Sequence, residues 1–231
     1  MSLRAATAKP KKILIVDDHP MMREGLAQLI GNDPALEVCG EAGDAHEAMQ
    51  KINALKPDLV LTDITLPGKN GMELIKDLQT MHPAVLILVI SMHDETLYVE
   101  RVLRAGARGY IMKQEGGKKI AQAIRQVLNG QIYVSEKMSA KILEIFSGHR
   151  ANVASSPVEK LTDREFEVFQ LIGQGVETKQ MAEKLHLSTK TIEVHRANIK
   201  AKLQLNTMAE LIRYAVRWIE SQNTGPGGLP P

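Results

Sequence analysis

Residues 58–68 read DLVLTDITLPG, and the first six decide the fold. Leu59, Val60 and Leu61 form an apolar run too short for a helix, which stops at Asp63 and is followed by the turn-forming pair Pro67-Gly68. That is the profile of a strand buried on both faces. Outward from it, KILIV (12–16), LEVCGE (36–41), VLILVIS (85–91) and RGYIM (108–112) repeat the pattern. The segments between them space their apolar residues near the helical period. Met22, Leu26, Leu29 and Ile30 make the first such stripe, with Pro20 suited to its opening turn. Five strands alternating with five helices, from Lys11 to about Gly130, predict an α/β domain built on a doubly wound five-stranded parallel sheet. Right-handed crossovers then bring the carboxyl ends of the strands to one edge, where ligands bind.

Several chemically active residues fall on that edge. Asp17 and Asp18 end the first strand, Asp63 the third and Ser91 the fourth, and Lys113 follows the fifth. A single Asp at a strand end is ordinarily a turn former or a cap. Three carboxylates drawn together repel one another unless a cation is held among them. Oxygen ligands favour a hard ion, so Mg2+ (or Mn2+ in its place) is the expected cofactor. Asp63 is placed to attack phosphorus and form an aspartyl phosphate, while Lys113 supplies a fixed positive charge and Ser91 a hydroxyl donor. A phosphatase or phosphotransferase turning over at Asp63 wants a second carboxylate two residues on, where this chain has Thr65. No enzymatic activity beyond the domain's own phosphoryl transfer and dephosphorylation is therefore expected.

Together, Asp17, Asp18, Asp63, the Pro67-Gly68 turn, Ser91 and Lys113 resemble the signature of response-regulator receiver domains over about residues 11–132. The resemblance implies a flavodoxin/CheY-like sheet and transfer of phosphate to Asp63 from a sensor histidine kinase. It implies that the backbone carbonyl of Thr65 joins Asp17, Asp18 and Asp63 as a metal ligand. It also makes Tyr110 the aromatic that turns inward as Ser91 follows the phosphoryl group, remodelling the face formed by residues 94–105 and the fifth strand.

The chain is long enough for a second, smaller core. A helical pattern from Ser135 to Phe146 leads into SGHRANVASSPVE, so residues 133–158 are expected to form a linker helix and a flexible linker. Thr162 and Glu165 then make a capping box, with Leu161 and Phe166 placed as a hydrophobic staple. Further helices are predicted at about 178–185, 189–203 and 207–221, with no strand among them. Residues 159–222 are thus expected to be an all-α four-helix domain, and 223–231, NTGPGGLPP, a disordered tail.

At about 100° per residue, the helix over 189–203 has two faces. Ile192, His195, Ile199 and Leu203 share one. Lys190, Glu193, Val194, Ala197 and Ala201 share the other, which is too polar for a core and short enough to admit a close backbone. Charge argues weakly, because residues 155–222 carry ten Lys and Arg against nine Asp and Glu. The succession LTDREFEVFQLIGQG, TKQMAEKL, STKTIEVHRANIKAKL resembles the LuxR-type helix-turn-helix, and its union with a receiver resembles the NarL/FixJ family of response regulators. That resemblance makes 178–185 the positioning helix and 189–203 the recognition helix. Glu193, Val194 and Ala197 are then candidates for base contact, and Thr178, Lys179, Thr189, Lys190, Thr191, Arg196 and Lys200 lie nearer the DNA backbone. Many relatives carry Lys where this chain has Glu193, and Glu can accept from cytosine N4. His195, on the inner face, is read as structural.

The implied partners are double-stranded promoter DNA, a sensor histidine kinase, a second copy of the chain when active, and RNA polymerase as a further contact. Leu211, Ile212, Ala215 and Ile219 form an apolar stripe on the last helix, which the family uses as a dimer contact on DNA. No run approaches the roughly 20 apolar residues of a membrane helix and the start lacks a signal-peptide pattern, so a cytoplasmic protein without membrane contact is expected. Cys39, the single cysteine, is read as a small buried strand residue.

Overall fold

The structure, a computed structural model, describes residues 9–136, 138–139 and 157–223. The chain divides into two compact units, 1–141 and 142–231. In the first, β1 (Lys11–Val16), α1 (Pro20–Gly31), β2 (Leu36–Ala42), α2 (Ala45–Leu55), β3 (Leu59–Thr62), α3 (Gly71–Met81), β4 (Leu86–Ser91), α4 (Glu95–Ala105), β5 (Gly109–Met112) and α5 (Gly117–Leu128) follow in strict alternation. All strand pairings are parallel, in the order β2-β1-β3-β4-β5. Because the chain moves one way from β1 to β2 and the other way to β3, the crevice of the sheet opens at the carboxyl ends of β1 and β3.

The central strands are apolar throughout because both faces are covered. Ile13, Ile15, Leu59, Leu61, Leu88 and Ile90 pack with Leu26 and Ile30 of α1 and with Ile120, Ile124 and Val127 of α5. Leu14, Val16, Val60, Ile87 and Val89 alternate with them and are equally buried. Each fully buried aliphatic side chain stabilises the fold by about 1.5–3 kcal/mol. Side-chain caps set the helix starts: Asp44 accepts from the Glu47 amide of α2, and Asn70 and Glu73 form a reciprocal capping box on α3.

Two details depart from the sequence reading. Cys39 is only half-buried, on the outer strand β2. It is the extra residue of a bulge, since Val38 pairs with Ile13 and Gly40 with Leu14, and its thiol lies 3.4 Å from the Ile13 carbonyl. The first unit also packs beyond residue 132. Tyr133 donates to the Arg108 carbonyl at 3.0 Å and accepts from the Tyr110 amide at 2.9 Å, laying a short parallel bridge on the free edge of β5. The Ser135 amide then donates to Glu95 of α4 at 2.8 Å. Most of the helix expected over Ser135–Phe146 lies outside the described residues, as do 147–156 of the expected linker and 224–231 of the expected tail.

The second unit begins with a 3-10 turn, Pro157–Lys160, whose Val158 is buried, so its core takes in residues assigned above to the linker. Then come α6 (Asp163–Gly173), α7 (Thr178–Lys184), α8 (Thr189–Leu203) and α9 (Met208–Asn223), which ends on the first residue of the expected tail. The Thr162–Glu165 capping box is present, and Leu161 and Phe166 are both buried. Trp218 of α9 meets Phe166 and Phe169 of α6 edge-on, at centroid distances of 5.5 and 5.6 Å.

Candidate functional site

Four sheet-edge residues expected to converge do so. Asp17 follows β1, Asp63 follows β3, Ser91 ends β4 and Lys113 follows β5. The Lys113 ammonium lies 2.7 Å from Asp63 Oδ2 and 2.5 Å from Asp17 Oδ2. Asp17 is 0% and Asp63 4% exposed. Burial pushes the Asp63 carboxyl above the usual carboxylate range, against the opposing charge of Lys113. Burial of the lysine acts to lower its own value, but Asp63 and Asp17 outweigh it and hold the ammonium above its ordinary range. The Ser91 hydroxyl faces both Asp63 and Tyr110.

Backbone bonds position the acid. The Asp63 amide donates to the Val16 carbonyl at 2.9 Å, its Oδ1 accepts from the Ile64 amide at 2.6 Å, and the Gly71 amide donates to the Ile64 carbonyl at 2.7 Å. The start of α3 is thereby pressed onto the end of β3. A Cβ on Gly71 would stand 2.0 Å from the Asp63 carbonyl oxygen.

Asp18 is beside Asp17, with His19 Nδ1 2.7 Å from Asp18 Oδ1 and 3.3 Å from Asp17 Oδ1. The ligand atoms of Asp17, Asp18 and His19 lie within 4.8 Å of one another. Two buried carboxylates, Asp17 and Asp63, share a single lysine, and a third, Asp18, lies beside Asp17 with His19 against it. The local excess of negative charge and the oxygen donors suit a hard divalent cation. Thr65 is on the β3–α3 loop, and its hydroxyl meets His93 Nε2 at 2.9 Å.

Tyr110 is fully buried, with its hydroxyl donating to the His93 carbonyl at 2.7 Å. Burial pushes its phenol well above the ordinary value. Sequence reasoning missed the residue that ties this corner together, His93. Its amide donates to Ser91 Oγ at 3.3 Å and its ring packs on Tyr98 at 4.8 Å. Its one sequence signal is its position two residues after Ser91. Arg23 was missed too; it donates to the Asp17 carbonyl at 2.6 Å and to Glu41 at 3.2 Å.

In the second unit the two faces of α8 separate as expected. Ile192 and Ile199 are buried, whereas Lys190, Glu193, Val194, Ala197 and Ala201 are all exposed, Val194 at 52%. Lys179, Thr189 and Lys190 are exposed around the helix starts, and Thr178, Thr191 and Lys200 are half-buried. Ser188 caps α8 by accepting from the Thr191 amide at 3.0 Å. Arg196 folds back along its own helix. It donates to Glu193 Oε1 at 2.7 Å and its guanidinium lies 3.9 Å from Met181 Sδ. Of the expected apolar stripe on α9, Leu211 and Ala215 are taken up by the domain's own core, and Ile212 stays exposed at 43%.

His195 lies on the inner face, its Nδ1 buried and without a hydrogen-bond partner among the described residues. Burial, and then the charge of Arg164, push its pKa below the ordinary value, with Glu165 partly offsetting them. The unfolded chain therefore takes up this proton at a higher pH than the folded domain does. The contribution to stability is complete above pH ~6.5 and is lost as the pH falls through the folded value. Urea unfolding of this unit, followed by the fluorescence of Trp218, the only tryptophan, is expected at lower urea at pH 5.5 than at pH 7.5. His195→Gln should flatten that difference; an unchanged difference would contradict the assignment.

The parallel sheet with its acidic edge, followed by a helix-turn-helix unit, defines the class of two-component response regulators. Residues 13–125 match the response regulator receiver domain, and residues 159–215 match the bacterial regulatory proteins of the luxR family. The chain is 35% identical over 210 residues to the oxygen regulatory protein NreC of Staphylococcus carnosus, a match covering 89% of this chain and 97% of that protein. A LuxR-family two-component response regulator from Aurantimonas sp. SI85-9A1 is similar in structure, with TM-score 0.56, 34% identity, and coverage of 60% of this chain and 99% of the other. The fold is also that of the Salmonella typhimurium response regulator RcsB, with TM-score 0.62 and 24% identity over 90% of this chain and 98% of that one. The chain belongs to the NarL/FixJ family of response regulators, transcription regulators that join a receiver to a LuxR-type DNA-binding domain.

Proposed function

We propose that Asp63 is the phosphoacceptor of the receiver and that a sensor histidine kinase is its donor. One observation carries this reading: the buried Asp63 carboxylate shares the Lys113 ammonium with Asp17 at the mouth of the sheet. An Asp63 oxygen attacks phosphorus, the bond from phosphorus to the kinase histidine breaks, and an aspartyl phosphate remains. Lys113 neutralises the new phosphoryl oxygens and Ser91 donates its hydroxyl to one of them. Asp17, Asp18, Asp63 and the Thr65 carbonyl would hold Mg2+ (or Mn2+). The ion supplies charge neutralisation when bound. The domain catalyses only its own phosphorylation and dephosphorylation.

The output is promoter binding through α8. Val194 and Ala197 offer small apolar contacts to base edges, Glu193 a hydrogen-bond acceptor, and Lys179, Lys190 and Lys200 charges for phosphates, with Thr178, Thr189 and Thr191 beside them. Two copies on paired half-sites give the specificity one module lacks, and Ile212 is the apolar residue of α9 left exposed for such a contact. Phosphorylation acts by uncovering α8 or by pairing receivers, in a cytoplasmic protein that also meets RNA polymerase. A gel shift with promoter fragments, with and without a phosphodonor, tests the reading, and equal binding in both states would defeat it. Lys200→Ala is expected to weaken binding to all sequences alike and to lower the slope of log affinity against log salt by about one. Altered sequence preference at full affinity would exclude the phosphate role.

A further inference from the structure

The DNA-facing surface of α8 carries an anchored carboxylate at its centre. Glu193 Oε1 accepts from Arg196 at 2.7 Å and lies 3.5 Å from the Thr178 hydroxyl, which ties the first residue of α7 to α8. The Arg196 side chain is 15% exposed and backed by Met181, whereas Glu193 is 59% exposed and has no partner on Oε2 among the described residues. A long flexible acid has thus been given a fixed direction, and a guanidinium that elsewhere would meet phosphate is spent in holding it.

We propose that Glu193 reads a cytosine in the major groove and that Arg196 is its positioning residue rather than a phosphate contact. This rests on the reading of α8 as the DNA-binding helix. An ionised carboxylate only accepts hydrogen bonds. In the major groove cytosine presents its N4 amine, whereas guanine and the thymine carbonyl present acceptors, and adenine sets the N7 acceptor beside its N6 donor. Cytosine is therefore the base that an acceptor-only group favours. The bond with Arg196 offsets the repulsion that Glu193 would otherwise meet from nearby phosphates. The neighbouring exposed Val194 suits contact with a thymine methyl on an adjacent pair.

Selection of binding sites from a randomised duplex library by the full chain tests the assignment. The wild type should enrich cytosine at one position of each half-site. Glu193→Gln, whose amide can bond adenine at both N6 and N7, should move that position toward adenine and leave the others unchanged. Arg196→Ala and Arg196→Lys should relax the same position roughly tenfold, about 1.4 kcal/mol, with the salt slope unaltered. Base preferences in Glu193→Gln identical to the wild type, or an Arg196→Lys variant with unchanged preference, would overturn the proposal alone. A salt slope lowered by about one in Arg196→Ala would also overturn it, because Arg196 would then be a phosphate contact. Failure of the wild type to enrich any sequence would overturn the DNA-binding reading of α8 and this assignment with it.

Discussion

Asp63→Asn is expected to reduce phosphate incorporation from acetyl phosphate to background, a fall on the order of 10³-fold or more, as removal of a nucleophile produces. The substitution conserves volume, and the amide oxygen can still accept from Lys113 at the present 2.7 Å. The fold therefore survives, and the loss is chemical. It removes one of the two buried carboxylates that share the Lys113 ammonium, and with it the cost of burying that charge beside Asp17, so the metal-free receiver should not lose stability. Undiminished labelling, with phosphate mapped to another residue, would remove Asp63 from its proposed role. Phosphodonor should also cease to alter promoter binding in this variant, which links the receiver to the output in one experiment.

Gly71→Ala is expected to destabilise the first unit by about 3 kcal/mol and to impair phosphorylation together with it. Alanine is the better helix former by roughly 1 kcal/mol, which alone would favour the variant. That gain is smaller than the cost of the collision, because the new methyl would stand 2.0 Å from the Asp63 carbonyl oxygen and 2.9 Å from Ile64 Cα. Both obstacles are backbone, and neither can swing aside like the end of a side chain. Relief requires α3 to lift from β3 or the end of β3 to shift, and either change moves the Asp63 carboxylate relative to Lys113. Urea unfolding followed by circular dichroism should show the loss, while Trp218 fluorescence, which reports the second unit, should not change. A receiver of unchanged stability and labelling rate would show that the approach is looser than described.

Much of the site was legible because its residues sit at strand ends. Once five buried runs were recognised, parallel order alone sent Asp17, Asp63, Ser91 and Lys113 to one edge. The two faces of α8 followed in the same way from helical period. The apolar stripe of α9 shows the limit of that reasoning: Leu211, Ile212 and Ala215 look alike in one dimension, and only packing on α6 divides them into core and surface. Tyr110 shows it again, since its rotamer depends on a carbonyl seventeen residues away in sequence.

By itself, then, the sequence determined the alternation of strands and helices, the acidic edge and the exposed face of α8. Each follows from a short-range period or a capping pattern carried by neighbouring residues. Tertiary structure alone decided that His93 joins Thr65, Ser91, Tyr98 and Tyr110, that Gly71 must be glycine, and that Arg196 holds Glu193 instead of extending outward. The i,i+3 spacing made the last pair available, but the direction of Arg196 depends on Met181, and that of Glu193 on Thr178, both arriving from α7. Such choices depend on which side chains meet across elements distant in the chain, and no local period encodes them.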